Sequence, residues 1–303
     1  MATVRIGTRG SALALAQTGL VAADLEKLGA DPEIVRIRTS GDERRGGAQE
    51  LSDKSRFVKE IEEALLAGEI DLAVHSAKDV PGELPDGLAI VAVPERADPR
   101  DVLCGAAQLD ALTEGTVVGT SSLRRRAQLL ATRPDLRVEE LRGNVDTRLK
   151  RLAEGKYDAV VLAAAGLARL DRAGDGTPID TALLTPAPGQ GCLALEARAD
   201  DTNIAGLAGK LTHHESLLCL TAERALVAEL DASCNTPIGA HAYINDGRLT
   251  LDAFVGLPDG STWIRDSLSG NAADPAKLGH EAAARLRAVG ADELLEQAEL
   301  AAR

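Results

Sequence analysis

Aromatic side chains are scarce: Phe57, Tyr157, Tyr243, Phe254 and Trp263 are the only five in 303 residues. So few flat rings exclude the stacking platforms that bind single-stranded nucleic acid. Positive charge is also in deficit. Lys and Arg number 34 against 47 Asp and Glu, a formal net charge of −13, which argues against a general binder of nucleic acid or anionic membrane. No apolar run approaches the ~18 residues of a transmembrane helix. The four cysteines, Cys104, Cys192, Cys219 and Cys234, include no CxxC pair, so neither a zinc ribbon nor a thioredoxin-type motif is present. Four thiols in a chain this long suit a reducing cytoplasm better than a disulfide scaffold. Arg5 and Arg9 followed by Ser11–Ala23 loosely imitate a secretory leader, but Gln17, Thr18 and Gly19 break the apolar run, and an amphipathic first helix is the better reading.

What is present is an ordinary globular composition, 45% hydrophobic and 27% charged, in a length that holds two or three domains. Strand-like and helix-like segments alternate: Val4–Gly7, Ser11–Leu28, Glu33–Thr39, Arg56–Ala67, Ile70–His75, Leu88–Val93, with a polar, glycine-bearing loop expected over Ser40–Ser55. After a crossing at Pro94–Pro99 the theme repeats in Thr116–Gly119, Leu123–Thr132, Leu136–Leu141, Val145–Glu154 and Asp158–Ala163. This alternation predicts an α/β architecture with a largely parallel sheet. A weak internal echo, Val4–Ser11 against Val117–Ser122 and Leu66–Val74 against Leu152–Val161, favours two related lobes facing a cleft. Beyond Pro186–Gly191 the pattern changes: strand Cys192–Arg198, helix His214–Leu230, and three strands, Ile238–Asn245, Leu249–Val255 and Thr262–Leu268. Asp246-Gly247 is a hairpin turn between the first two. Helices near Ala276–Val289 and Ala291–Ala302 complete a small α+β domain.

Arginine is concentrated where a helix does not favour it. Between Gly119 and Arg151, nine basic residues face four acidic ones, a cationic patch inside an acidic protein. Ser121 or Ser122 is an N-cap, so Arg124 and Arg125 fall in the first helical turn. A cation there opposes the positive pole of the helix dipole at a cost of about 0.3–1 kcal/mol. Asn144 caps another helix between Arg142 and Arg148, and Ser11 caps a third just after Arg9. For one helix, solvated surface arginines suffice as an explanation. Three together favour a bound polyanion, held by guanidinium groups, free N–H groups and dipoles at once.

Other residues read two ways. Lys78 and Asp79, in His75-Ser-Ala-Lys-Asp-Val-Pro81, follow a strand whose C-terminal end would line a cleft; Asp79 is equally a catalytic acid or a turn residue closing an Asx bond. Lys78 as a Schiff-base lysine has no supporting motif, and His75 alone reads as structural. Cys104, Cys192 and Cys219 sit in apolar segments. Cys234 lies in a polar turn, Ala232-Ser-Cys-Asn-Thr-Pro-Ile-Gly239, where a thiol is either exposed and nucleophilic or an unreactive loop cysteine.

Taken together, Ile6-Gly-Thr-Arg-Gly-Ser-Ala-Leu-Ala-Leu-Ala-Gln17, Phe57-Val-Lys-Glu60, His75–Pro81, Gly119-Thr-Ser-Ser-Leu-Arg-Arg125, Leu141-Arg-Gly-Asn-Val-Asp-Thr-Arg-Leu149, Pro188-Gly-Gln-Gly191, His213-His-Glu215 and Ser233-Cys-Asn-Thr-Pro-Ile-Gly239 resemble the porphobilinogen deaminase (hydroxymethylbilane synthase) family, in the family's order. The resemblance implies two α/β lobes like type II periplasmic binding proteins plus a small C-terminal α+β domain. The expected division is residues 1–94 with 190–212, residues 98–189, and residues 213–303, the last carrying the cofactor cysteine. It implies a cytoplasmic, monomeric transferase, with no nucleic-acid or membrane partner, that joins four porphobilinogen molecules head to tail with loss of ammonia. The growing chain accumulates acetate and propionate groups, which accounts for the arginines. A dipyrromethane cofactor would be bound covalently to Cys234 as a thioether. Asp79 aligns with the family's catalytic aspartate, a carboxylate able to stabilise a cationic azafulvene and move protons. Lys78, Ser122, Arg124 and Arg125 align with cofactor-binding positions, and Arg9, Ser11, Phe57, Arg142, Arg148 and Arg169 with substrate-binding ones; no metal is implied. The sequence departs from the family at Ser52-Asp-Lys-Ser55, where many members read Gly-Gly-Lys-Gly, and at Glu50, often basic. The competing class is a two-lobed binding module for a small anion, which would not require Cys234, Asp79 or a third domain.

Overall fold

The computed structural model describes residues 3–39, 58–232 and 236–302. The polar loop expected over Ser40–Ser55, Phe57 and Cys234 lie outside the described residues. The strands are β1 (Thr3–Arg9), β2 (Asp31–Ile37), β3 (Leu72–Ser76), β4 (Leu88–Ala92), β5 (Asp101–Cys104), β6 (Val117–Gly119), β7 (Arg137–Glu139), β8 (Ala159–Ala163), β9 (Thr177–Pro178), β10 (Leu193–Arg198), β11 (Ile238–Asn245), β12 (Arg248–Gly256) and β13 (Trp263–Asn271). The chain divides into two compact units, Met1–Arg96 with Cys192–Leu217, and Ala97–Gly191 with Leu218–Arg303.

The first unit is built on a sheet of order β2-β1-β3-β10-β4. β1 runs parallel to β2 and β3, while β10 runs antiparallel to β3 and β4. On one face Val4, Ile6, Leu193, Leu195 and Ala197 pack under Val21 and Leu25 of helix Ala12–Lys27. On the other, Ala73 meets Ile61 and Leu65 of helix Lys59–Leu66. The two-residue period of β10 puts Glu196 on this second face.

The second unit contains a sheet of order β7-β6-β8-β5-β9. Strand for strand it repeats the first: β6 is parallel to β7 and β8, and β5 is antiparallel to β8 and β9. The internal echo in the sequence is therefore a shared topology, with β1 matching β6 and β3 matching β8. The parallel expectation holds for three strands of each sheet. The antiparallel strands were the part not anticipated: β5 is four residues led by an aspartate, and β9 only two. Val102 and Cys104 face one layer of core and Leu103 the other.

The same unit carries the antiparallel meander β11-β12-β13. Leu249, Leu251, Ala253 and Val255 pack against Cys219, Ala222 and Leu226 of helix His214–Glu229 and against Leu278 and Ala282 of helix Pro275–Arg287. Asp246 (φ 48°) and Gly247 (φ 74°) form the hairpin turn, both left-handed as that tight connection demands. The other turn, at Gly260, lies against helix Leu123–Thr132. A Cβ there would stand 2.4 Å from the Ala131 nitrogen, so only glycine permits the approach. Arg265 lies over the Phe254 and Trp263 rings, 5.3 and 5.8 Å from their centroids, and donates to the carbonyls of Ala182 and Leu183.

Candidate active site

In each five-stranded sheet the expected site residues follow the C-terminal ends of parallel strands, where open α/β sheets place ligands. In the first unit, Arg9 ends β1, and Ser11 caps helix Ala12–Lys27, its Oγ accepting from the Ala14 N–H at 3.2 Å. On the adjacent strand, β3 runs directly into a 3-10 turn, Ala77–Asp79, that carries Lys78 and Asp79. The turn is fixed from both sides. The Ala77 N–H donates to the Cys192 carbonyl at 3.0 Å, and Gln17 Nε2 donates to Ser76 Oγ at 2.8 Å. Asp79 itself is half-buried.

Behind β3, His75 is buried with its Nε2 3.0 Å from Glu196 Oε2. The approach is close but not aligned as a hydrogen bond, and both Glu196 oxygens lack a bonded partner. Glu62, from helix Lys59–Leu66, is buried in the same layer. Burial first, and the Glu196 charge second, push its carboxyl above the usual range. His75 therefore belongs to a structural cluster under that helix, as its isolated position in the sequence suggested.

In the second unit, Ser122 caps helix Leu123–Thr132, with its Oγ 3.4 Å from the Arg125 nitrogen. Arg124 and Arg125 occupy the first turn but do not reach into solvent; they are 4% and 5% exposed. Both close on Asp101, the first residue of β5, which is fully buried. Arg124 donates to Asp101 Oδ2 at 2.7 Å and to the Thr185 carbonyl at 2.6 Å. Arg125 donates through Nε and Nη2 to Asp101 Oδ1, at 3.0 and 2.7 Å, and through Nη1 to the Val161 carbonyl at 2.9 Å. Burial would raise the Asp101 carboxyl, but attraction to the two guanidinium groups and hydrogen bonds from Arg124 and Gln190 hold it far below the usual range. Arg124 keeps one N–H, at Nε, buried and without a partner.

Arg148 completes this cluster. It follows the Asn144 cap of helix Val145–Ala153, although the Asn144 side chain itself makes no capping bond. Its Nε donates to the Gly143 carbonyl at 2.7 Å and its Nη2 to Ser121 Oγ at 3.2 Å. Burial, then repulsion from Arg125, push the guanidinium down to about 10. No acidic side chain among the described residues pairs with it. Arg124 and Arg125 thus share one carboxylate, and Arg148 adds a third guanidinium beside Arg125, so that the cluster is short of anionic charge. This donor set suits carboxylates. Arg169 donates to the Gly191 carbonyl at 2.8 Å. Arg142 is exposed and bonded to Glu140 at 2.6 Å, outside the buried cluster. The patch as a whole is more neutral than its arginine count suggested, since Arg133 pairs with Asp135 and Arg137 with Glu139.

Sequence reasoning missed Asp101, Gln190 as its partner, Ser121 as an acceptor, and Glu223. Asp101 lies outside the arginine-rich window, but an acid heading the apolar run Val102-Leu103-Cys104 is a signal for a buried, partnered carboxylate. Glu223 lies on the inner face of helix His214–Glu229 and accepts from the N–H groups of Gly189 (2.6 Å) and Ala242 (2.7 Å). Cys104, Cys192 and Cys219 are buried, as their apolar settings predicted. Among the described residues no helix is long and apolar enough to cross a membrane.

Fold and site together define the class: an α/β protein with two topologically matched sheets, a small C-terminal sheet domain, and a pair of buried arginines closed on one carboxylate. Residues 4–206 match the family described as porphobilinogen deaminase, dipyromethane cofactor binding domain, and residues 217–288 match porphobilinogen deaminase, C-terminal domain. The chain belongs to the porphobilinogen deaminase family. It is 48% identical to the porphobilinogen deaminase of Deinococcus radiodurans, covering 98% of this chain and 99% of that protein. It is also 48% identical to that of Thermus thermophilus over the same shares. Among solved structures, a TRAP periplasmic solute binding protein from Desulfovibrio salexigens is 11% identical over 69% of this chain and 72% of that chain, with a TM-score of 0.42.

Proposed function

We propose that the chain joins four porphobilinogen molecules head to tail, with loss of four molecules of ammonia, and that one water releases the tetrapyrrole as hydroxymethylbilane and supplies its hydroxyl, with Asp79 as the catalytic acid–base group and the arginines as the carboxylate holders. The observation that carries the carboxylate role is Arg148: a half-buried guanidinium beside Arg125 with no acidic side chain paired to it among the described residues. A charge so placed is costly until an anion arrives. Arg124, Arg125, Ser122 and Lys78 would hold the acidic side chains of the dipyrromethane cofactor, and Cys234 would bind it as a thioether. When bound, that cofactor would supply the free pyrrole carbon to which the first unit is joined, each later unit being joined to the pyrrole added before it. Arg9, Ser11, Phe57, Arg142, Arg148 and Arg169 would hold the acetate and propionate of incoming units.

Asp79 serves at the aminomethyl carbon. The C–N bond of porphobilinogen breaks and ammonia leaves with a proton. Positive charge spreads onto the pyrrole nitrogen, and the Asp79 carboxylate stabilises it. A new C–C bond forms, and the proton displaced from the attacked carbon passes to the carboxylate. The rigid turn around Ala77 keeps that carboxylate at one place through four cycles. On this reading the protein works as a cytoplasmic monomer on small molecules, with neither nucleic acid nor membrane as partner, and its domains are residues 1–94 with 190–212, 98–189 and 213–303.

The test is turnover of the full-length Asp79→Asn variant, following hydroxymethylbilane formation and ammonia release, with intact mass alongside. Loss of both products with the dipyrromethane still attached is expected. Near-normal turnover removes Asp79 from its role, and a protein that carries no dipyrromethane and forms no product is a binding module instead.

A further inference from the structure

Asp101 is not among the residues through which the reaction is read, yet it organises the arginines that are. Its Oδ1 accepts from Arg124 Nη2 (3.2 Å), Arg125 Nε (3.0 Å), Arg125 Nη2 (2.7 Å) and Gln190 Nε2 (2.9 Å), while Oδ2 accepts from Arg124 Nη1 (2.7 Å). An ordinary buried ion pair sets one acid against one base. Here one fully buried carboxylate takes two, in the first turn of a helix whose dipole already opposes them. Each guanidinium is also tied to fixed backbone, Arg124 to the Thr185 carbonyl and Arg125 to the Val161 carbonyl, while Arg124 Nε is buried and has no partner. The frame behind Asp101 is equally fixed. Gln190 also donates to the Pro99 carbonyl at 2.7 Å, and the neighbouring Gly189 N–H is held by Glu223.

Counted with Arg148, which repels Arg125, the cluster holds three positive charges and one negative. We infer that Asp101 is a positioning residue for the carboxylate-holding arginines. It aims Arg124 and Arg125 and cancels one of their charges, which leaves the double positive charge that the acetate and propionate of one pyrrole neutralise. This inference rests on the proposed role of the arginines.

The test is a double-variant cycle on the full-length protein, made from Asp101→Asn, Arg124→Gln and the two combined. Two quantities are read: the fraction of molecules carrying dipyrromethane by intact mass, and kcat and KM for porphobilinogen. Each single variant should lose at least tenfold in kcat/KM or in cofactor-bearing fraction. The double variant should fall no more than about threefold below the worse single, because Asp101 acts through Arg124 and non-additivity marks coupled residues. Losses that multiply, about a hundredfold or more, overturn the inference, as does a wild-type Asp101→Asn beside an impaired Arg124→Gln. A wild-type Arg124→Gln overturns the carboxylate role of the arginines first, and the inference with it. Should Asp101→Asn fail to fold, Gln190→Leu takes its place, since it removes the hydrogen bond to Asp101, together with the one to the Pro99 carbonyl, and leaves the charge. It should lower kcat/KM about threefold or more in the wild-type background and not at all in the Arg124→Gln background. An equal loss in both backgrounds, or no loss in either, overturns the inference.

Discussion

Replacing Arg148 with methionine should separate folding from function in opposite directions. The half-buried guanidinium is pushed down to about 10 from an ordinary 12.5, a penalty on its charged form of roughly 3 kcal/mol. Its bonds to the Gly143 carbonyl and Ser121 Oγ return a comparable amount, about 1.5–3 kcal/mol for a hydrogen bond from a charged group. The side chain therefore contributes little net stability to the free protein, and Arg148→Met, of similar length and apolar, should leave the thermal midpoint within about 3 °C or raise it. Function should respond otherwise. A buried carboxylate that loses its charged partner costs about 2–4 kcal/mol, roughly thirty- to seven-hundred-fold. The assays are a thermal melt of the purified chain and kcat/KM for porphobilinogen. A midpoint lowered by 10 °C or more with kcat/KM intact would mean that Arg148 holds the fold together and not a ligand.

Asp101→Asn leaves two buried guanidinium groups without their counter-charge and should cost about 3–5 kcal/mol of stability, visible as a lower denaturation midpoint at neutral pH. The acid sensitivity should change with it. Because the folded carboxyl is held below its ordinary 3.8, its stabilisation is complete above about pH 4 and drains away as the pH falls; melts of the wild type between pH 5 and 2 should show this loss, and the asparagine variant should show less of it. Glu62→Gln should act at the other end. A carboxyl raised above its ordinary 4.5 loses stability as the pH climbs from there through its folded value, so the glutamine variant should gain on the wild type in melts above neutral pH. Arg142→Leu should slow later additions more than the first, since exposed Arg142 lies outside the buried cluster; product-length analysis by mass spectrometry checks this, and normal elongation would leave Arg142 as a surface residue.

Much of this was legible in the sequence because local rules and tertiary context agree. Ser11 and Ser122 cap helices as their types predict, and helices Leu123–Thr132 and Ala291–Ala302 match the periodicity to the residue. The echo between the lobes was visible because both begin with strand, Gly-Thr and a small polar cap. What escaped depends on long-range pairing. β5 is too short to announce itself, and its antiparallel direction follows from partners more than fifty residues away. Arg124 and Arg125 were legible as misplaced cations, but not as a pair closed on Asp101, 23 and 24 residues earlier. Composition counts charges; only the fold says which of them meet. The buried Glu62, Glu196 and His75 were hidden for the same reason, since three segments contribute one residue each.

The central claim is that this arginine-rich, acidic chain grips the carboxylates of a pyrrole oligomer tethered through sulfur. Intact mass of the full-length protein, purified from a host that makes porphobilinogen, tests it most directly when wild type and Cys234→Ala are compared. The account predicts a wild-type mass above that of the sequence by one dipyrromethane, and a variant at the sequence mass. A wild type without the increment, or a variant that keeps it, would contradict the account.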